Sequence, residues 1–208
     1  MFTLLPRQVM DLEAGQIILY AHQMKWYPFR VTHPTQDGCF LSPLASSSQP
    51  TYFLRATRWV GLFSSPHFTP ESLWGWEAES FPMHNTGHSM GPWYPPGGRL
   101  DLVPLRLSTL RPGQLLIWAG QERWVCHRLK TITTNNEGSF VTTRGDGCLT
   151  DDNPIPITQL LGQVARIHYP KGSWEPGNIP DVWRAHTTQC WLQTRHNIAR
   201  YVPSFLRR

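Results

Sequence analysis

No run in the 208-residue sequence approaches the roughly 18 consecutive apolar residues that a membrane-crossing helix needs. Its opening, Met1-Phe2-Thr3-Leu4-Leu5-Pro6-Arg7, breaks too early for the apolar segment of a secretory leader, so the expectation is a protein made and kept in the cytosol. Cysteine is sparse: the four, at 39, 126, 148 and 190, form no CxxC pair and no regular spacing. That pattern signals neither a disulfide framework nor a zinc ribbon, and reads as reduced thiols. Charged residues are few as well, 16% against 40% hydrophobic, which is the balance of a globular chain. Internal repeats are lacking.

Proline and glycine, at 19 and 16 residues, favour short strands joined by turns over long helices. The net charge of +5 is concentrated at one end, where residues 181–208 hold five arginines against Asp181 alone. The ten tryptophans would make a nucleic-acid stacking surface only beside a basic groove, and outside the tail no basic residues interleave with them. Nucleic acid is therefore not expected as a partner. Core packing is the expected use of most tryptophans, with Trp74, Trp76 and Trp93 placed to line an apolar substrate cleft.

Alternating β-branched and aromatic residues predict two strands between Gln16 and Val31 and another from Tyr52 to Phe63. Gln36-Asp37-Gly38 and residues 46–50 have turn chemistry, and Thr69-Pro70-Glu71 predicts a capped short helix running through Trp74 and Trp76. After Phe81 the strands Leu100–Leu105, Leu115–Trp118, Trp124–Thr131, Ser139–Thr143 and Leu160–Ile167 follow at short intervals, predicting a mainly β fold of coiled antiparallel sheets. Residues 171–177 read as a linker. Beyond them Val182, Ala185, Gln189, Leu192, His196, Ala199, Val202 and Leu206 recur at three- and four-residue intervals, predicting an amphipathic C-terminal helix with a basic margin. Two uses of that helix stay open: docking on the protein's own sheet, or peripheral contact with an anionic membrane surface through 181–208. The chain thus divides into residues 1–80 of unassigned role, a region 81–170 and the tail 171–208.

Three boxes occur in order: Gly87-His88-Ser89-Met90-Gly91-Pro92, Val125-Cys126-His127-Arg128-Leu129, and Thr143-Arg144-Gly145-Asp146 followed by Asp151-Asp152. Serine is a weak nucleophile until a neighbouring base takes its proton, and the base works best when a carboxylate fixes its tautomer. Histidine suits the middle role because it exchanges protons near neutral pH. The residues alone leave open which of Asp146, Asp151 and Asp152 would complete the set. His84 and His88 have the i, i+4 spacing of a metal pair, but Gly87 argues against the helix that would align them.

As an ordered set over residues 81–168, these boxes resemble the signal-peptidase clan, which joins membrane signal peptidases to self-cleaving SOS repressors. Ser89-Met90-x-Pro92 is similar to the nucleophile box, Pro112-Gly113-Gln114-Leu115-Leu116-Ile117-Trp118 to the strand that follows, and Gly145-Asp146-x4-Asp151-Asp152 to the acidic box. His127-Arg128 resembles the archaeal and endoplasmic-reticulum branch, where histidine replaces the lysine base of the bacterial enzymes. The resemblance implies a serine endopeptidase with Ser89 as nucleophile and oxyanion N–H donor, His127 as base, Asp152 as its orienting partner and Asp146 as a supporting carboxylate. Met90 and Trp93 would bind substrate, which would be a peptide or protein, and no metal or organic cofactor is implied. Signal peptidases often carry a serine where this chain has Gly87, and the glycine resembles the SOS repressors at that position. Two other readings use the same fold: an inactive binding or scaffold protein, and a self-cleaving regulator with Ala14-Gly15 as its scissile bond.

Overall fold

The structure, a computed structural model, describes residues 3–44, 51–64, 69–91, 94–170 and 172–201. Over these residues the fold is mainly β, two antiparallel sheets and one long helix. The first sheet contains β1 (Thr3–Gln8), β2 (Ile17–His22), β3 (Lys25–Thr35), β4 (Gly38–Pro43), β5 (Tyr52–Arg55) and β6 (Trp59–Ser64), in the order β1-β6-β2-β3-β4-β5. The second contains β7 (Phe81–His84), β8 (Arg99–Pro104), β9 (Leu115–Ala119), β10 (Trp124–Asn135), β11 (Gly138–Arg144), β12 (Ile155–Pro156) and β13 (Leu160–Tyr169). Their order is β12-β11-β10-β9-β13-β8-β7, with β14 (Gly172–Trp174) hydrogen-bonded to β13. Helix α1 (Ile179–Tyr201) closes the chain.

Strand alternation explains how the first sheet buries both faces. Ile17 and Leu19 of β2 turn toward a core shared with Leu100, Leu102, Leu115 and Ile117 of the second sheet, while Ile18 between them joins Phe29, Val31 and Leu41 in a core of its own. Two indoles tie the sheets together, since Trp26 Nε1–H donates to the Leu102 carbonyl at 2.8 Å and Trp124 Nε1–H to that of Leu4 at 3.1 Å. Every strand of the first sheet precedes residue 80 and every strand of the second follows it, yet the two share one apolar core.

Register shifts at Leu129/Thr131 in β10 and at Leu160/Gly162 and Val164/Arg166 in β13 bend these long strands, so that each pairs with one neighbour along its first half and another along its second. The first half of β10, which carries His127, lies along β9.

Several local expectations change. Tyr52 to Phe63 is two strands, because β5 pairs with β4 and β6 with β1 and β2, partners on different sides of the sheet. The helix expected at Thr69 is one 3-10 turn, Pro70–Leu73, and the Thr69 side chain makes no capping hydrogen bond. Residues 172–174 of the expected linker form β14, folding back with Gly172 opposite Tyr169. Among the described residues no helix is long and apolar enough to cross a membrane.

Helix α1 is present, but the buried face is rotated from the expected stripe. Asp181, Ala185 and Thr188 are buried, whereas Val182 is exposed with Trp183 and Trp191. The cause is Arg128, which draws the Asp181 carboxylate inward at 2.7 Å. Residues 202–208 of the expected stripe lie outside the described residues.

Candidate active site

The loop after β7 carries Ser89, and Asn85 braces it: its Nδ2 donates to the carbonyls of Tyr94 (2.9 Å) and Pro95 (3.1 Å), and its Oδ1 accepts from the Gly87 N–H at 3.2 Å. Gly91, at φ 71°, closes the turn by donating its N–H to the His88 carbonyl at 3.0 Å. Consecutive residues at the tip then face opposite ways. Ser89 borders a cleft of about 440 Å³, while Met90, expected to contact substrate, is only 2% exposed and packs in the shared core. Trp93, the other expected substrate contact, lies outside the described residues together with Pro92.

On β10, His127 is held between two partners. Its Nδ1 lies 2.7 Å from Asp152 Oδ2 and its Nε2 2.8 Å from Ser89 Oγ. A carboxylate only accepts hydrogen bonds, so Nδ1–H donates to Asp152 and leaves Nε2 free to accept from the Ser89 hydroxyl. Asp152 is fixed in turn: Thr143 Oγ1–H donates to the same Oδ2 at 2.5 Å, and the Asp152 N–H donates to the Thr143 carbonyl at 2.8 Å. No known protein family, curated protein or solved structure matches the chain. Its site is therefore read from its own geometry: a hydroxyl, an imidazole and a carboxylate in one hydrogen-bonded line.

The other carboxylates take different places. Asp146 is fully buried and receives Arg128 Nε–H at 2.8 Å and Nη2–H at 2.6 Å, an in-plane fork, while Arg128 Nη1 donates to the Gly113 carbonyl and to Asp181. Asp151 is exposed and pairs with Arg144. Burial pushes the Asp181 carboxyl up from its ordinary range, with the Gly177 N–H and Arg184 opposing. Arg128 thus joins the strand bearing His127, the acidic loop and the start of α1.

That loop also holds Ser89, since the Gly147 N–H donates to the Ser89 carbonyl at 2.8 Å. The approach leaves no room for side chains: a Cβ on Gly145 would sit 2.4 Å from the Ser89 carbonyl oxygen and 3.0 Å from His127 Nε2. Gly145→Ala should therefore push Ser89 and His127 apart and cost at least about 10²-fold in kcat/KM, because a displacement of about 1 Å at reacting groups is enough for that loss. Near-normal turnover in the folded variant would show that the serine and histidine need not hold this contact.

Cys126, beside His127 on β10, packs against the shared core, and burial pushes its thiol up to about 12. Burial also raises the Cys148 thiol, which approaches the Ser89 carbonyl at 3.7 Å. His84 ends β7 and His88 lies in the loop after it, so no helix aligns them, and among the described residues no three His, Cys, Asp or Glu side chains gather to hold a metal. Gly15 donates its N–H to the Val31 carbonyl in the first sheet, and neither it nor Ala14 lines the cleft.

Sequence reasoning missed Asn85, Thr143 and Asp181. Thr143 stands inside the acidic box and was open to discovery as a hydroxyl two residues before Gly145 on a strand. Asn85 acts within its own loop, on Gly87, Tyr94 and Pro95, whereas Asp181 meets Arg128 from 53 residues away, a contact that no local pattern encodes.

Proposed function

We propose that the chain is a serine endopeptidase of the signal-peptidase clan, cleaving a peptide bond through an acyl-enzyme on Ser89. The supporting observation is the line Ser89 Oγ, His127 Nε2, His127 Nδ1, Asp152 Oδ2, with both contacts under 3 Å. In this reading His127 Nε2 takes the hydroxyl proton as Oγ attacks the substrate carbonyl carbon, and the Asp152 carboxylate stabilises the resulting imidazolium. The Ser89 N–H serves as a donor to the tetrahedral oxyanion. The protonated Nε2 then delivers its proton to the leaving amine, the C–N bond breaks, and water enters by the same route to release the acid.

The partner in this reading is a peptide or protein segment in extended form, and a signal or leader peptide is one such substrate. Attachment to an anionic membrane surface through the basic tail is a separate proposal. It draws on exposed Val182, Trp183 and Trp191 and on Arg195, which lies over the Trp191 ring at 5.4 Å.

A fluorophosphonate probe tests the chemistry without knowledge of the substrate. The wild-type chain is expected to become labelled at Ser89, and Ser89→Ala to take up no label. A wild-type protein that stays unlabelled while fully folded would favour the inactive scaffold instead.

A further inference from the structure

A second cavity, about 580 Å³, opens between the two sheets beside the candidate active site. Leu4 comes from the first sheet, Leu73 and Trp76 from the segment joining the sheets, and Phe81, Met83 and Trp124 from the second. Its lining is mainly carbon. Trp124 has its Nε1–H occupied by the Leu4 carbonyl, and Trp76 meets the Phe81 ring edge-on at 6.0 Å. The volume lies within the range of about 300–1,000 Å³ typical of pockets that take small molecules, far more than a methyl side chain fills.

This chamber continues into the cleft of Ser89. Met83, His84, Thr86, Arg123 and Trp124 line both, so a chain crossing His84 passes from one to the other. The strand between them has a free edge as well, since β7 pairs with β8 alone among the described strands. Pro82 has no N–H to give, and the Asn85 N–H donates inward to the Gly98 carbonyl. Alternation along the strand then turns the N–H and C=O of His84 away from β8, toward an incoming chain. An extended peptide paired there would place successive side chains on opposite faces.

We propose that the chamber is a substrate subsite that admits a bulky apolar side chain of an extended polypeptide, a few residues from the bond presented to Ser89. The assignment rests on the peptidase reading and adds a substrate class to it: residues 1–80, which lie outside the resemblance, supply part of the pocket that selects the substrate. Arg123 and Glu122 line the chamber and are exposed to solvent, so that polar contacts to the peptide main chain are within their scope.

The test uses the full chain carrying Ser89→Ala and fluorescein-labelled hexa-alanine peptides in which one phenylalanine is moved along the sequence. Fluorescence anisotropy should show one register binding about tenfold tighter or more than hexa-alanine, the yield of burying one large side chain. Adding Trp76→Ala, which removes a wall, should bring that ratio back toward one, and so should Leu5→Arg, which sets a charge against the chamber from its less buried side. Equal affinity for every peptide would overturn the subsite. Fluorophosphonate labelling of the wild-type chain separates the two ideas. A labelled enzyme with a flat scan loses only the subsite, and an unlabelled one loses the peptidase reading and with it the assignment of the chamber to a substrate.

Discussion

Ser89→Ala and His127→Ala should each lower peptide-bond turnover by about 10⁶-fold, and the double variant should be scarcely worse than either. Non-additivity follows from the geometry. Without His127 Nε2, 2.8 Å from Oγ, the hydroxyl has no base, and without the hydroxyl the base has nothing to activate. Asp152→Asn should cost less, about 10⁴-fold, because the ring keeps its place on β10 but loses the acceptor that selects the Nδ1–H tautomer. Asp146→Asn separates the two carboxylates. Asp146 touches Arg128 rather than the imidazole, so its replacement should act on stability more than on the chemical step. Turnover of a labelled peptide selected with the fluorophosphonate-reactive enzyme provides the measurement, and losses that multiply in the double variant would sink the coupled mechanism.

What the sequence makes legible has a physical pattern. Strands β9, β10, β11 and β13 carry the alternation and β-branched content that pleated, half-buried strands need, and their positions follow from it. That His127 and Asp152 meet is not legible in their spacing, since distance along a chain says nothing of distance in space. What fails to show is set by long-range partners. Nothing near Tyr52 to Phe63 announces a break, because the break comes from two strands pairing in different places. Residues 171–177 look like a linker because β14 draws its order from β13. Met90 follows a simple rule: beside an outward serine at a tight turn, the next side chain points inward. The helix stripe slips for a different reason, a buried guanidinium 53 residues earlier that favours an aspartate over a valine on the docked face.

That guanidinium carries the largest expected effect on stability. Arg128→Ala would leave Asp146 and Asp181 both buried, at 0% and 1% exposure, with their shared cation gone. Removing one member of a buried ionic cluster typically costs about 3–5 kcal/mol, which for a chain of this size is a fall in Tm of roughly 10 °C or more. The loss should depend on pH with a definite sign. Desolvation favours the protonated form of each orphaned carboxyl, raising its folded-state pKa above the unfolded value of about 3.9, so the native state binds protons that the unfolded chain releases. Stability is then highest below that unfolded pKa and is lost as pH rises through the raised folded one, so the gap to wild type should widen from mildly acid toward neutral pH. Burial already pushes the Asp181 carboxyl in this direction in the wild-type protein. Arg128→Lys keeps a charge but not the fork that reaches both carboxylates and the Gly113 carbonyl, and should fall between the two. Urea titrations of the three proteins at several pH values would check it. A gap that narrows toward neutral pH, or a midpoint unchanged in Arg128→Ala, would mean that these carboxylates reach solvent or another cation, and that α1 is held to β10 by packing alone.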